Sequence, residues 1–324
     1  MRIYRNCLLC PRRCGVNRGA GERGFCGETA ELRIASASIH RGEEPPITGQ
    51  GGSGTVFVSG CNLGCVFCQN YQVSGNRISQ GNSVALPESS AALGRAVGKE
   101  EFARICLALQ EKGAGNINIV TGSHAVPALA AGLDAARAGG LAVPALWNSS
   151  AYESPETLEL LRGRIAGWLP DLKTLDSDLA ARFFRAPGYP ETAQAAILKM
   201  LDISSAAPGP PSPEAPVIIR HLVLPGFLES TKPVLRWFAE YAAGRARLSL
   251  MTQYTPVGDG DMPGRYVDQG EYETLLRWLE EFDIEDGFYQ ELVPGSDWLP
   301  DFSRQNPFSS DLSSPVWHWK DGFV

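Results

Sequence analysis

Short apolar runs alternate along the chain with segments of helical periodicity. The apolar, β-prone runs are TVFVSG (55–60), NINIVTG (116–122), LAVPALWN (141–148), IAGWLPDLK (165–173), VIIRHLVLPG (217–226) and RLSLMTQY (247–254). The segments between them, such as KEEFARICLALQEKG and STKPVLRWFAEYAAG, carry apolar residues at helical spacing. Continuous apolar strands that alternate with helices predict a parallel sheet that is covered on both faces.

Polar residues stand at or just after the C-terminal end of each predicted strand. In chain order they are a cysteine motif at 61–68, then TGSH, NSSAYES, DLKT, RHLVLPG and MTQYTP. The active sites of β/α barrels are assembled from these strand ends, whereas an open doubly wound sheet concentrates polar residues at one switch point. The pattern therefore predicts an α/β fold, a partial (β/α)6 TIM-like barrel with one shared mouth.

The arrangement of these runs predicts three parts. Residues 1–54 form a Cys-rich N-terminal metal-binding lobe, residues 55–293 the partial barrel, and residues 294–324 a C-terminal extension. The aromatic residues of the extension predict that it packs on the barrel. A Pro-rich segment at 204–216 predicts a flexible loop on the face opposite the strand ends.

Composition narrows the functional classes. The 324 residues are 44% hydrophobic and 20% charged, as in an ordinary globular protein, and the formal net charge is −7. An acidic chain argues against general binding to nucleic acid or to an acidic membrane. No apolar run is long enough to span a membrane, and the N-terminus lacks the apolar core of a signal peptide. We therefore expect a cytoplasmic location.

The eight cysteines predict metal binding in a reducing compartment rather than disulfides. Cys61, Cys65 and Cys68 are spaced C-x3-C-x2-C, and three thiolates on one loop can hold three corners of a cubane iron–sulfur cluster. One iron would then have no protein ligand. The alternatives are a zinc ion with a fourth ligand from elsewhere, or plain buried cysteines. Cys106, on an apolar helical face, is expected in the core.

The stretch CNLGCVFC resembles the C-x3-C-x-φ-C motif of the radical S-adenosylmethionine superfamily, including an aromatic residue, Phe67, before the last cysteine. The motif also follows the first strand of the predicted barrel, as it does in that superfamily. Further strings resemble the branch similar to pyruvate formate-lyase activating enzyme, in a subgroup with an N-terminal CxxCPRxC motif. They are GEEPPITGQGGSGTVFVSGCNLGCVFCQN, PDLKT, IIRHLVLPG, MTQYTP and CLLCPRRCGVNR.

This resemblance implies an oxygen-sensitive enzyme in which Cys61, Cys65 and Cys68 hold a [4Fe-4S] cluster whose fourth iron binds S-adenosylmethionine. Reductive cleavage would yield a 5'-deoxyadenosyl radical that abstracts hydrogen from a substrate. The substrate would be a glycyl-radical enzyme, or else a small molecule or peptide. An electron donor of the flavodoxin or ferredoxin type is also implied.

The resemblance further implies contacts between the cofactor and individual side chains. Phe67 would flank the adenine, Asp171 and Lys173 would meet polar parts of S-adenosylmethionine, and Arg220 would pair with the methionyl carboxylate. An ordinary Asp171–Lys173 ion pair and a structural salt bridge of Arg220 remain alternatives. The full set of predicted cofactor-binding residues is Phe67, Asn70, Thr121, His124, Asp171, Lys173 and Arg220. No catalytic residue is assigned.

One element departs from the superfamily pattern. The second strand usually ends in a Gly-Gly-Glu-Pro-like stretch that binds the methionyl amino group, but this chain reads IVTGSHAVP. Thr121, Ser123 and His124 could substitute as polar contacts, although His124 could equally cap a helix or pack a loop. The GEEPP stretch at 42–46 precedes the first barrel strand and is not expected to be the same element. His40 and His318 are expected outside the barrel.

A second cysteine group lies near the N-terminus. Cys7, Cys10, Cys14 and Cys26 are spaced C-x2-C-x3-C-x11-C, and four thiolates complete either a tetrahedral zinc site or a cubane. The flanking Arg12, Arg13, Arg18 and Arg23 could offset the negative charge. Zinc would staple the lobe, whereas a second cluster would serve as an electron relay. A non-catalytic metal scaffold on the same barrel is the competing functional class.

Overall fold

A computed structural model describes residues 2–75, 92–206, 217–257, 262–292 and 299–324. Its strands are β1 (Leu32–His40), β2 (Ser53–Val58), β3 (Arg95–Val97), β4 (Asn116–Val120), β5 (Ala145–Ser149), β6 (Gly167–Pro170), β7 (Ile218–Leu222), β8 (Arg247–Met251), β9 (Gly287–Tyr289), β10 (Ser313–His318) and β11 (Gly322–Phe323). Its α-helices are α1 (Pro45–Thr48), α2 (Tyr71–Ser74), α3 (Lys99–Glu111), α4 (Val126–Ala138), α5 (Pro155–Glu159), α6 (Ser177–Phe184), α7 (Tyr189–Ser205), α8 (Thr231–Tyr241) and α9 (Gln269–Glu281).

The parallel strands follow one another in chain order, as a partial barrel requires. β2, β4, β5 and β6 pair in parallel, and so do β7, β8 and β9. Two parallel bridges, Trp168 to Val217 and Asp171 to Arg220, connect β6 to β7. The α/β fold class and the partial barrel of six strands are thereby confirmed, with the short β9 added after the sixth.

The helices cover the outer face of the sheet because their apolar sides pack against the strands. The main buried cluster joins strand residues such as Val56, Ile119 and Trp147 to helix residues such as Phe102 and Leu133. α9 begins with a capping box in which Asp268 accepts from the amide of Glu271 and Glu271 reaches back to Asp268. The strand ends carrying polar residues are thus held by a well-packed frame.

Strands outside the barrel form an antiparallel extension that sequence reasoning did not predict. β1 pairs with β2, β3 and β10, and β11 pairs with β10. Nearly all of β1 is buried, including the serines at 36 and 38, so it lacks the alternation of a half-exposed strand. The predicted domain boundaries stay predictions; residue 54 lies inside β2, and the segment before it contributes β1 to the sheet.

Most of the Pro-rich loop predicted at 204–216 lies outside the described residues. The described part ends at residue 206, just after α7. Within the described ranges, no helix is both long and apolar enough to cross a membrane.

Candidate functional site

The three-cysteine motif lies on the loop that follows β2. The backbone turns at Gly60, where φ is 84°, a conformation that favours glycine. A Cβ atom at this position would lie 2.8 Å from the carbonyl oxygen of Cys26 and would also contact Glu28. Glycine therefore lets the motif loop turn and, at the same time, lets the N-terminal region approach it closely.

Cys61, Cys65 and Cys68 line one cavity of about 250 Å³ at the C-terminal ends of the parallel strands. The structure brings most of the predicted cofactor-binding residues to the same cavity. The predicted residues that line it are Phe67, Asn70, Thr121, Asp171, Lys173 and Arg220. Their common location follows from the barrel, because they lie on the loop after β2, just after β4 and β6, and within β7, and these parallel strands are neighbours in the barrel. Their contacts with a cofactor stay predictions.

Two of the three thiols of this cavity, those of Cys65 and Cys68, lie beside the half-buried ammonium group of Lys173. Burial raises the pKa of Cys68 to about 11 and that of Cys65 further, while the positive charge of Lys173 lowers both. Lys173 donates to Asp171 Oδ2 at 2.7 Å. Burial lowers the pKa of Lys173, but the charges of Asp171 and Cys65 outweigh it and raise the pKa. A cation beside two of the three thiols suits a thiolate-bound, negatively charged cluster, so the donor set fits the implied iron–sulfur group.

Arg220 reaches the cavity as part of an ion network. Its Nε donates to Glu44 Oε1 at 2.8 Å, and its Nη2 donates to Glu43 Oε2 at 2.6 Å and also to Glu44 Oε2. Both carboxylates come from the GEEPP stretch, which sequence reasoning had set apart from the site. Glu43 itself lines the cavity. The turn after β1 thus brings this stretch beside Arg220 on β7, although it precedes the first barrel strand as expected.

His124, predicted to bind the cofactor, is not among the residues that line the cavity. Its ring lies beneath the motif loop, with Nε2 2.8 Å from the carbonyl oxygen of Ser59. Burial and the charge of Arg18 lower its pKa to about 3, so the ring is neutral near pH 7. This placement argues against the predicted cofactor contact and fits the alternative of loop packing. Ser123 likewise turns away, donating to Glu153 at 2.5 Å.

Some residues that line the cavity were not predicted from the sequence. His40, expected outside the barrel, lines the cavity and packs edge-on against Phe308, with ring centroids 4.8 Å apart. Phe308 belongs to the C-terminal extension and lines the cavity as well. The hydrophobic pattern could not indicate these contacts, since they arise where β1 and the extension pass beside the first barrel strand.

The N-terminal cysteines occupy a separate, enclosed position. Cys7, Cys10 and Cys26 are buried, and Cys14 is half-buried. Burial raises the pKa of Cys10 to about 11 and that of Cys26 to about 12. The charges of Cys14 and Cys7 also raise the pKa of Cys10, and that of Cys10 raises the pKa of Cys26, so the four sulfur groups are electrostatic neighbours.

Two arginines border this cysteine group, of which Arg18 is buried and Arg12 is half-buried. Arg18, 2% exposed, donates to the carbonyl oxygens of Thr29 and His124 and lies 3.8 Å from Cys7 Sγ. Arg12 donates to four carbonyl oxygens, those of Asn62, Leu63, Phe184 and Arg185. Within the described part of the chain, neither guanidinium hydrogen-bonds a carboxylate. Cations that are partly or wholly removed from water favour a nearby anion, and thiolates bound to a metal would provide one.

A single metal ion needs ligands that converge on one point, whereas a cubane binds each cysteine at a separate iron. Among the residues that the structure describes, no three His, Cys, Asp or Glu side chains converge in that way. The metal at the N-terminal group therefore stays a prediction, either zinc or a second cluster.

No protein-family profile matches the chain. It is 29% identical over 254 residues to the uncharacterized protein MJ0674 of Methanocaldococcus jannaschii, which covers 78% of this chain and 67% of that protein. Among solved structures it is similar to Streptococcus suis SuiB bound to S-adenosylmethionine, at 15% identity and a TM-score of 0.46. The match covers 72% of this chain but only 45% of SuiB.

A second structural neighbour is a radical SAM methyltransferase from Sphaerobacter thermophilus, at 13% identity and a TM-score of 0.44. This match covers 73% of this chain and 66% of that one. Structural neighbours thus include radical SAM enzymes. At TM-scores below 0.5 these likenesses are distant, and the narrower resemblance to pyruvate formate-lyase activating enzyme stays a prediction.

Proposed function

We propose that the protein is an enzyme of the radical S-adenosylmethionine type. In this proposal Cys61, Cys65 and Cys68 bind a [4Fe-4S] cluster, and S-adenosylmethionine occupies the adjoining cavity. The cluster and S-adenosylmethionine, when bound, supply reductive cleavage to a 5'-deoxyadenosyl radical, which takes hydrogen from a substrate. The observation that carries the proposal is the common cavity of the three thiols and the ends of the parallel strands.

The residues of the cavity have tasks that follow from their chemistry. Lys173 offsets the charge of the thiolates, and Asp171 holds its ammonium group in place. Phe67, 4% exposed and packed edge-on against Phe183 and Phe184, offers a fixed aromatic surface to an adenine ring.

Anaerobic reconstitution with iron and sulfide tests this function. We expect a brown protein that releases 5'-deoxyadenosine when it is given dithionite and S-adenosylmethionine. A colourless protein that neither binds nor cleaves S-adenosylmethionine would overturn the proposal and favour a non-catalytic scaffold. Exposure to air should bleach the reconstituted protein, because an iron that lacks a protein ligand is open to oxidation.

For the substrate we propose a glycyl-radical enzyme, on the resemblance of the sequence motifs alone. An electron donor of the flavodoxin or ferredoxin type would supply the reducing electron. The reduced enzyme is mixed with candidate glycyl-radical partners, and electron paramagnetic resonance should show the doublet of a backbone glycyl radical. If no partner gives this doublet while 5'-deoxyadenosine still forms, the substrate is a small molecule or a peptide.

For Cys7, Cys10, Cys14 and Cys26 we propose a second metal site, holding zinc or a second cluster. Its support is the enclosed position of the thiols beside two arginines that hydrogen-bond carbonyl oxygens. Counting iron, sulfide and zinc in anaerobic protein, with and without Cys10→Ala, identifies the metal. An unchanged metal content in this variant would argue against the site. We also propose a cytoplasmic location, which a reducing compartment for so many thiols favours.

A further inference from the structure

The cavity contains two ion groups with different charge balance. Lys173 and Asp171 form a balanced pair, because one ammonium meets one carboxylate at 2.7 Å. Around Arg220, one guanidinium meets two carboxylates, Glu43 and Glu44. The second group therefore carries one negative charge in excess. Excess charge in a poorly solvated position is costly unless a cation or a strong hydrogen-bond donor approaches it.

Burial shows that this group is poorly solvated. The side chains of Arg220 and Glu44 are each 8% exposed, and that of Glu43 is 13% exposed. Burial raises the pKa of Glu44, but the charge and hydrogen bonds of Arg220 outweigh it and lower the pKa, so Glu44 is ionised. Glu44 faces Arg220 and is not among the residues that line the cavity, whereas Glu43 lines it. The excess charge is thus presented to the cavity by Glu43.

The position of Glu43 is supported from two sides. Arg220 Nη2 donates to its Oε2 at 2.6 Å, and Asn118 Nδ2 donates to its Oε1 at 3.0 Å. Asn118 is fully buried on β4. β4, which pairs with β2 next to the cysteine motif, therefore holds the Glu43 carboxylate at the cavity through the amide of Asn118. The C-terminal end of β4, at Thr121, carries no acidic residue of its own.

A carboxylate beside a guanidinium matches the amino and carboxylate groups of an α-amino acid. None of the hydrogen bonds found among the described residues uses Arg220 Nη1, so this donor remains for a ligand carboxylate. We propose that Glu43 accepts hydrogen bonds from the α-amino group of S-adenosylmethionine, while Arg220 serves its α-carboxylate. This inference rests on the proposed function, since it assigns one contact within the same cavity.

Equilibrium binding on the anaerobically reconstituted full chain tests the assignment. The probes are S-adenosylmethionine and its 2-oxo analogue, which keeps the sulfonium and the carboxylate but lacks the amino group. For Glu43→Gln, the dissociation constant of S-adenosylmethionine should rise about 10- to 100-fold, as expected for losing a charged hydrogen-bond partner. The dissociation constant of the analogue should change by less than about threefold.

Glu44→Gln is the matched control. It removes a carboxylate from the same arginine but leaves the one that lines the cavity, so its effect on the two probes should be equal and smaller. If Glu43→Gln weakened the binding of both probes by the same factor, the assignment would be overturned, because the effect would then be one of general charge. A Glu44→Gln loss that also depends on the amino group would overturn it too.

Two further comparisons keep folding and function apart from this contact. The first comparison uses wild-type protein, in which no substitution can disturb folding. Its dissociation constant for S-adenosylmethionine should be about tenfold or more lower than for the 2-oxo analogue. Equal dissociation constants would overturn the inference. If wild-type protein with its cluster bound neither probe, the proposed function itself would fail. If it bound S-adenosylmethionine and Glu43→Gln bound it equally well, only the role of Glu43 would fail.

Discussion

The two cysteine groups of this chain differ in what surrounds them. Cys61, Cys65 and Cys68 line a cavity next to the ammonium of Lys173. The N-terminal group lies against the guanidinium groups of Arg12 and Arg18 and contributes no residue to that cavity. Structural metal sites have a full set of protein ligands, whereas catalytic sites keep a position open for water or substrate. Under the proposed function, the triplet would therefore carry the chemistry and the N-terminal group would support the loop.

The two groups nevertheless share a boundary. Arg12 Nε donates to the carbonyl oxygen of Asn62 and its Nη2 donates to that of Leu63, and both acceptors belong to the motif loop. Gly60 lies against the backbone of Cys26. A support role for the N-terminal group would consequently act directly on the loop that carries the triplet.

The largest expected effect comes from removing the triplet. Cys61→Ala, Cys65→Ala and Cys68→Ala in one variant should reduce the formation of 5'-deoxyadenosine by at least about a thousandfold, because the group that delivers the electron would have no ligands. Metal bound at the N-terminal group should remain. Metal counting and chromatography of the nucleoside check both expectations.

Cys106→Ala is the control for this variant, since Cys106 is fully buried in α3, away from both groups. It should keep the metal content and the activity of the wild type. If the triple variant lost the metal of both groups together, the two sites could not be separated, and the comparison would fail.

A smaller effect is expected from Cys26→Ala. The buried thiol should be a metal ligand, and metal binding contributes to folding, so the free energy of unfolding should fall by about 3 kcal/mol or more. Urea unfolding under anaerobic conditions measures this loss. The isolated triplet should still take up iron, although in lower yield. If Cys26→Ala kept wild-type stability but the cluster bound by the triplet were reduced more slowly, the N-terminal group would instead serve as an electron relay.

Sequence patterns predicted the barrel and the place of the triplet at its mouth, for a physical reason. Apolar strands, helical spacing and C-x3-C-x2-C are local properties, and the barrel brings the strand ends to one mouth. Glu43 and His40 were not predicted, because they reach the cavity through β1, whose buried serines hide its strand character. His124 was assigned to the mouth from its place after β4, but the backbone there turns its ring toward Ser59. The direction of such a side chain depends on tertiary packing, which the spacing of residues along the sequence does not encode.

The boundary between the two groups can be weakened with Arg12→Ala. This change removes hydrogen bonds to four carbonyl oxygens and the contact of the guanidinium with the Phe25 ring, whose centroid is 3.6 Å away. We expect the free energy of unfolding to fall by about 2–4 kcal/mol. Arg5→Ala, at an exposed position of the same lobe, should change it by less than about 0.5 kcal/mol. Similar losses in both variants would show that Arg12 does not tie the lobe to the loop.

The smallest effect concerns pH and His124, which lies at the same boundary. Its ring contacts Ser59 in the strand end before the triplet, and its carbonyl oxygen accepts from Arg18. Its pKa is lowered to about 3 by burial and by the charge of Arg18. The unfolded chain binds a proton near pH 6.5 and the folded chain does not, so stability should fall as pH decreases from 6.5 toward 3. The slope should be about 1.4 kcal/mol per pH unit for this group.

Urea unfolding at pH 7.5 and pH 5 checks this slope in wild-type protein and in His124→Gln. The free energy of unfolding should differ between the two pH values by about 2 kcal/mol less in the variant than in the wild type, because the side chain of the variant no longer titrates. His221→Gln is the comparison, since burial lowers the pKa of His221 to about 4 and its two ring nitrogens hydrogen-bond Leu172 and Thr231 rather than the motif loop. His221→Gln should reduce the pH-dependent difference in the free energy of unfolding by a similar amount. Only His124→Gln should also change the yield of iron bound by the triplet. An unchanged yield would mean that the ring supports the fold alone, and that the two cysteine groups are joined by Arg12 and Asn62 without it.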